Sequence, residues 1–240
     1  MPHSNVRNTL LILITLIVIL LTGCEENTQD KAKSLPFILD RAQTYIDQGQ
    51  FKAAIIETKN ALRIAPDSIK AASLAARINI KLGRADQALK LLNNIKAKDN
   101  SQINLLIAES YLAQGKFRSS LEQLPSSSQE RQLLNEQQNI TLQQLSFKSN
   151  LSLNKYSEAA TQLKKLKNLS HSDTDKAEYS YLNATLLFKQ NQQKQAHVAL
   201  DRTLTPQPAH TEAPLMKSVI AYQEKNPKNR QENSTAALIS

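Results

Sequence analysis

Residues 45–55 read YIDQGQFKAAI, and the glycine at 49 decides how the chain is read. The whole sequence of 240 residues holds only four glycines. Inside a helix Gly costs about 1 kcal/mol relative to Ala, so a glycine in a helix-forming run marks a place where the backbone needs what a side chain forbids. Two further stretches align on their glycines: 79–89, NIKLGRADQAL, on Gly83, and 111–121, YLAQGKFRSSL, on Gly115. Two more fit with asparagine in that place: 150–160, NLSLNKYSEAA, on Asn154, and 187–197, LFKQNQQKQAH, on Asn191. Asn is the residue after Gly that best tolerates positive φ. Five times, then, a residue suited to the left-handed conformation follows a helical segment, which is how a helix is ended and the chain turned. Gly49, Gly83, Gly115, Asn154 and Asn191 are predicted helix–turn residues.

The neighbours of these turns recur as well. Seven residues before stand Ala42, Ala76, Ala108, Phe147 and Ala184; five after stand Ala54, Ala88, Ser120, Ala159 and Ala196. Small side chains at these places let two helices approach closely, and Phe147 departs from that pattern. Two residues after the turn come Phe51, Ala85, Phe117, Tyr156 and Gln193, where an aromatic ring can plug the gap between helices. Nine after come Thr58, Leu92, Leu124, Leu163 and Leu200. Pro66 closes the first unit, and Asp67-Ser68 offers a cap for the next helix.

Two helices around a turn, repeated at a period near 34, resemble the tetratricopeptide repeat (TPR). The resemblance covers about 35–206 and implies an all-α fold, a right-handed superhelical solenoid of antiparallel helix pairs. Its units fall near 35–68, 69–100, 101–124, 140–170 and 177–206. Pro125 cuts the third unit short, and 125–139 lies outside the frame as a loop with an extra helical turn. Leu215–Glu224 is expected as one more helix within a capping segment, 207–224, with a polar, disordered tail over 225–240.

Ahead of the repeats, Leu10–Leu21 is an apolar run interrupted only by Thr15, with Arg7 before it. Twelve residues are too few for a spanning helix, which needs about 20, so 1–23 reads as a signal peptide. The run ends in Leu21-Thr22-Gly23-Cys24, which resembles a bacterial lipobox. That resemblance implies that Cys24, the single cysteine, is lipidated, with 24–34 as a tether. Glu25 after it leans towards the periplasmic face of the outer membrane rather than the inner one. The lipobox together with KAAIIETKNAL, residues 52–62, and Pro66 is also similar to the TPR-repeat lipoproteins of PEP-CTERM/exosortase systems, which implies a role in envelope or exopolysaccharide biogenesis.

The formal charge is +9, and aromatic residues make up 5% of the chain, with no Trp. Without an aromatic–basic platform, and with an export signal, the charge does not point to nucleic acid. The four histidines, His3, His171, His197 and His210, form no i, i+4 pair, and all glycines past Gly23 are used as turns. No catalytic, metal or cofactor site is expected, and His197 is read as a packing residue. The resemblance places first helices along an inner groove. Candidate groove residues are Lys70, Arg77 and Lys81, then Gln102 and Glu109, then Lys148, Tyr181 and Lys189. Their mixed but mostly basic character suits an acidic or C-terminal carboxylate group on an envelope or secretion protein, with Lys70, Arg77 and Lys81 as uncompensated charges on one stripe. Direct binding of an acidic glycan or cell-wall polymer is the alternative; the scarcity of Trp and Tyr disfavours it.

Overall fold

The computed structural model describes residues 28–96 and 100–225, with side chains from residue 34 onward. Every regular element among them is a helix: α1 Thr28–Asp47, α2 Phe51–Ile64, α3 Ile69–Lys81, α4 Ala85–Asn93, α5 Ser101–Ala113, α6 Phe117–Glu122, α7 Ser128–Gln132, α8 Glu136–Ser152, α9 Tyr156–Leu169, α10 Asp173–Lys189, α11 Gln193–Leu204 and α12 Glu212–Lys225. None is long and apolar enough to cross a membrane. Cys24, the expected signal peptide and most of the expected tail lie outside the described residues.

Five of the connections share one construction. Three residues separate α1 from α2, α3 from α4, α5 from α6, α8 from α9 and α10 from α11. The middle residue has positive φ each time: Gly49 +71°, Gly83 +71°, Gly115 +73°, Asn154 +58° and Asn191 +60°. At Gly83 the N–H donates to the Ile80 carbonyl at 3.0 Å and the next N–H, of Arg84, donates to Asn79 at 2.7 Å. The same two bonds recur at the other four turns. This Schellman arrangement satisfies carbonyls that the end of a helix would otherwise leave unpaired. The small-residue places behave alike. Ala42, Ala54, Ala76, Ala88, Ala108, Ser120, Ala159, Ala184 and Ala196 all have zero exposure, and so does Phe147. The large ring fits because it faces the core around Ala159, Leu163 and Leu182.

The chain divides into two compact units, with the division after Ala75, inside α3. In the first, Leu39, Ala42, Ala61, Ala71 and Leu74 form the core. Arg41 Nη2 donates to Glu57 Oε2 at 2.6 Å between α1 and α2. Ser68 Oγ accepts from the Ala71 N–H at 3.3 Å, as expected of a cap. The stretch expected to be tether enters α1 at Thr28, because Gln29 to Lys33 are mostly good helix formers. Pro36 lies inside α1, where it has no N–H to give.

In the second unit, three cores follow one another along the chain. Leu105, Ala108, Leu124, Leu134, Leu142 and Leu145 form one. The next is built on Phe147, Leu163 and Leu182, and the last on Ala184, Ala199, Leu200, Ala213 and Ile220. Segment 125–139 supplies α7 and the start of α8. Both helices open on capping boxes, Ser127 with Glu130 and Asn135 with Gln138. The fourth and fifth first helices begin earlier than the frame's 140 and 177, at Glu136 and Asp173, because the caps Asn135 and Ser172 stand there. The last helix takes in Glu212 and Lys225, beyond the expected 215–224.

Candidate functional site

The candidate groove residues fall into two clefts in the second unit. Arg77 from α3 and Gln102 and Glu109 from α5 meet Asn135, Gln138 and Thr141 around a cleft of about 150 Å³, floored by Leu105 and Leu106. Lys148 from α8 and Tyr181 and Lys189 from α10 meet Thr185 and Glu212 around a second, of about 340 Å³, floored by Phe147, Leu151 and Leu182. Lys70, exposed in the first unit, and Lys81, exposed at the end of α3, line neither cleft. On α3 the residues Leu74, Ala75 and Ile78 are buried while Arg77 and Lys81 are exposed.

The expectation of uncompensated charge does not hold for Arg77 and Lys81. Both act electrostatically on the Glu109 carboxyl, as does Lys148. Burial raises that carboxyl above its ordinary range, and the three cations pull it part of the way back. Gln102 and Glu109, seven apart, stand on one face of α5, with Leu105 and Leu106 between them on that face. A ligand anion in the first cleft would share Arg77 with the Glu109 carboxyl.

The second cleft is more open in character. Lys148 Nζ lies 3.4 Å from Glu178 Oε1. Glu178 also reaches His210, whose Nε2 is 3.7 Å from Glu178 Oε2. The His210 ring lies against Tyr181, centroids 4.8 Å apart, and its Nδ1 accepts the Ala213 N–H at 3.2 Å. His210 thus caps α12 and fixes the wall of the cleft from which Glu212 projects. Burial, then the charge of Glu212 and the bond its carboxylate accepts, push the Tyr181 hydroxyl up to about 12. Tyr181 therefore stays a donor at any physiological pH. Lys189 is exposed at the rim. An acidic group entering above the apolar floor would meet Lys189 at the rim and compete with Glu178 for Lys148, while the Tyr181 phenol is held by Glu212.

Sequence reasoning missed Glu178, Thr185, His210 and Glu212. Glu178, Tyr181 and Thr185 share the α10 stripe and could have been found by its 3–4 spacing. His210 gave no such signal, since histidine is not among the residues that usually cap helices. His197 is only part-buried and reaches towards Glu224, at 3.8 Å, so packing alone does not describe it. Among the described residues no three His, Cys, Asp or Glu side chains are grouped to hold a metal ion.

Antiparallel helix pairs joined by repeated three-residue turns define a helical-repeat protein. Residues 45–102 match the tetratricopeptide repeat family model. The structure is similar to a thermophilic TPR protein of Thermus thermophilus, with a TM-score of 0.64 and 16% identity over 78% of this chain and 99% of that one. It is also similar to PilF of Pseudomonas aeruginosa, with a TM-score of 0.60 and 14% identity over 83% and 88%. At such identities the likeness speaks of fold alone, and the fold is a TPR helical solenoid. No curated protein matches the sequence. TPR folds generally act as scaffolds that bind protein partners.

Proposed function

We propose that this chain is a non-catalytic, lipid-anchored scaffold on the periplasmic face of the outer membrane, gathering proteins of envelope or exopolysaccharide biogenesis. The anchor reading rests on the apolar run and Leu21-Thr22-Gly23-Cys24. Two or more acyl chains hold a protein stably where one does not. The observation that carries the binding role is the second cleft, where Lys148, Tyr181 and Lys189 surround a floor of Leu151 and Leu182. Cations in a concavity reinforce one another's field and speed the approach of an anion. The partner is thus a protein that presents an acidic group, a C-terminal carboxylate included, next to an aliphatic side chain.

Two experiments test the two halves. Cys24→Ser should leave an unprocessed precursor that takes up no labelled fatty acid; continued processing and labelling would end the anchor reading. Lys148→Glu with Lys189→Glu should preserve helicity and sharply reduce protein recovered from detergent-solubilised membranes, with the wild-type capture weakening as salt rises. Unchanged recovery would move the surface elsewhere, and salt-sensitive capture of polymer without protein would favour a glycan ligand instead.

A further inference from the structure

The third helix pair ends early. Its second helix, α6, spans only Phe117–Glu122, and the chain then turns away through Pro125 into α7. Between that connection, α8 and α9 lies a cleft of about 190 Å³, which shares no lining residue with the two groove clefts. From α8 it takes Leu142, Gln143, Ser146 and Asn150. At about 100° per residue these four fall within one arc of the helix, on the side away from Lys148 and Ser152 of the second groove cleft. Leu142, Leu121 and Leu124 give the cleft an apolar floor.

Two of the α8 side chains are buried amides. Gln143 is 8% exposed and has no hydrogen-bond partner among the described residues. Asn150 is 7% exposed, and its Nδ2 donates to the Ser146 carbonyl at 2.8 Å, which leaves Oδ1 to accept. A buried amide without a partner is costly, and the space in which a partner could stand is the cleft. Counted from the turn at Asn154, Gln143 on α8 and Lys165 on α9 are each eleven residues away, so the antiparallel pair sets them level. Ser146 and Gln162, each eight away, stand level likewise. Lys165 Nζ is 3.4 Å from Gln162 Oε1. Arg131 brings a second cation. Its Nε donates to the Pro125 carbonyl at 3.0 Å, and its two Nη groups have no hydrogen-bond partner among the described residues. No described Asp or Glu lines the cleft. Glu130, next to Arg131, is engaged in its own turn, where Oε2 accepts from the Ser126 and Ser127 N–H groups at 2.8 and 3.1 Å.

We infer that this cleft binds a sugar acid, a unit with one carboxylate and several hydroxyls. The carboxylate goes to the end where Gln143 and Lys165 stand level, with the planar fork of Arg131 suited to its two oxygens. Hydroxyls both donate and accept, which suits Ser146, Gln162 and the Asn150 Oδ1, and the C–H face of the sugar covers the leucines. Gln143 and Asn150, two helical turns apart, are separated by about 10 Å along α8, so charge and hydroxyl belong at opposite ends of the ligand. An inorganic anion leaves Asn150 and the leucines unmet, and an apolar acid leaves the amides unpaired. The site stands whether or not the groove holds a protein.

The test titrates the isotope-labelled full chain, in a non-ionic detergent, with D-glucuronate. The side-chain amide signals of Gln143 and Asn150, identified by their loss in Gln143→Leu and Asn150→Ala, should both shift and saturate. D-glucose, which has the ring without the charge, and acetate, which has the charge without the hydroxyls, should each need at least tenfold higher concentration. Lys165→Gln, at an exposed side chain, should weaken the glucuronate response at least tenfold with helicity unchanged, while Lys164→Gln, its neighbour outside the lining, should leave it as it was. Amide signals that do not move overturn the proposal. So does acetate or inorganic phosphate acting as well as glucuronate, or Lys164→Gln weakening the response as much as Lys165→Gln, since either would reduce the site to diffuse positive charge.

Discussion

At Gly83 an added Cβ would meet nothing within 4 Å, while φ stands at +71°. The demand for glycine there is one of backbone conformation and not of space. Gly83→Val should therefore destabilise by about 1–2 kcal/mol through backbone strain alone. Gly83→Asn should cost clearly less, because Asn154 and Asn191 adopt the same conformation. Urea unfolding of the two variants side by side decides this: equal losses would mean that strain is not the cause. Glu109 makes a prediction of the opposite kind, about charge. Its carboxyl is raised above the ordinary 4.5, so the folded state holds a proton that the unfolded chain has already lost. Stability from this group is present at low pH and declines as pH rises from about 4.5 through the raised folded value. Glu109→Gln should flatten that part of the stability–pH curve, and a slope unchanged by the substitution would show that other carboxyls set it. The turns were legible because positive φ is a property of single residues. The raised Glu109 carboxyl was not, since it depends on α3 and α8 arriving beside α5.

Among elements, α8 shows where the repeat frame reaches its limit. Its first turn is set by Asn135, whose Oδ1 accepts the Gln138 N–H at 2.9 Å while Gln138 Oε1 accepts from the Asn135 N–H at 3.0 Å. Asn135→Ala should cost about 1 kcal/mol, the usual loss with an N-cap, and hydrogen exchange should quicken in the first turn of α8 before anywhere else in that helix. Uniform loss of protection along α8 would mean that the cap is not what holds its start. The signal for this helix was present in the sequence as Asn followed three residues later by Gln. It was masked because 125–139 follows a six-residue second helix, α6, and so falls out of phase with the period. Within the frame, the small places were read correctly even where the residue was wrong in size. Phe147 is buried at zero exposure like the alanines it replaces. Its partner across the pair, Ala159, is small, and identity at one place is readable only with knowledge of the other.

Over the molecule as a whole, the cores of the second unit come in chain order, each shared by neighbouring helices. Stability in such an arrangement is close to a sum of local terms. Leu200→Ala, in the last core, should cost about 2–5 kcal/mol and loosen α10 to α12, leaving amide protection in α1 and α2 unchanged. Loosening that extended evenly to α1 and α2 would show a single cooperative block. The groove was legible at this scale only as a set of places. The sequence identified Lys148, Tyr181 and Lys189 as facing the same way. It did not reveal His210 and Glu212, because they stand at the start of α12, where no period places them, and Glu178 was readable only from the spacing of α10. The three-residue turns carry one more consequence. Their hydrogen bonds close within six residues, and each core joins helices that are near neighbours in sequence. Little chain entropy is lost before the first native contacts form, so the contact order is low and folding is expected to be fast. A segment of this chain that emerges from a narrow passage one helix pair at a time can fold in the order in which it arrives.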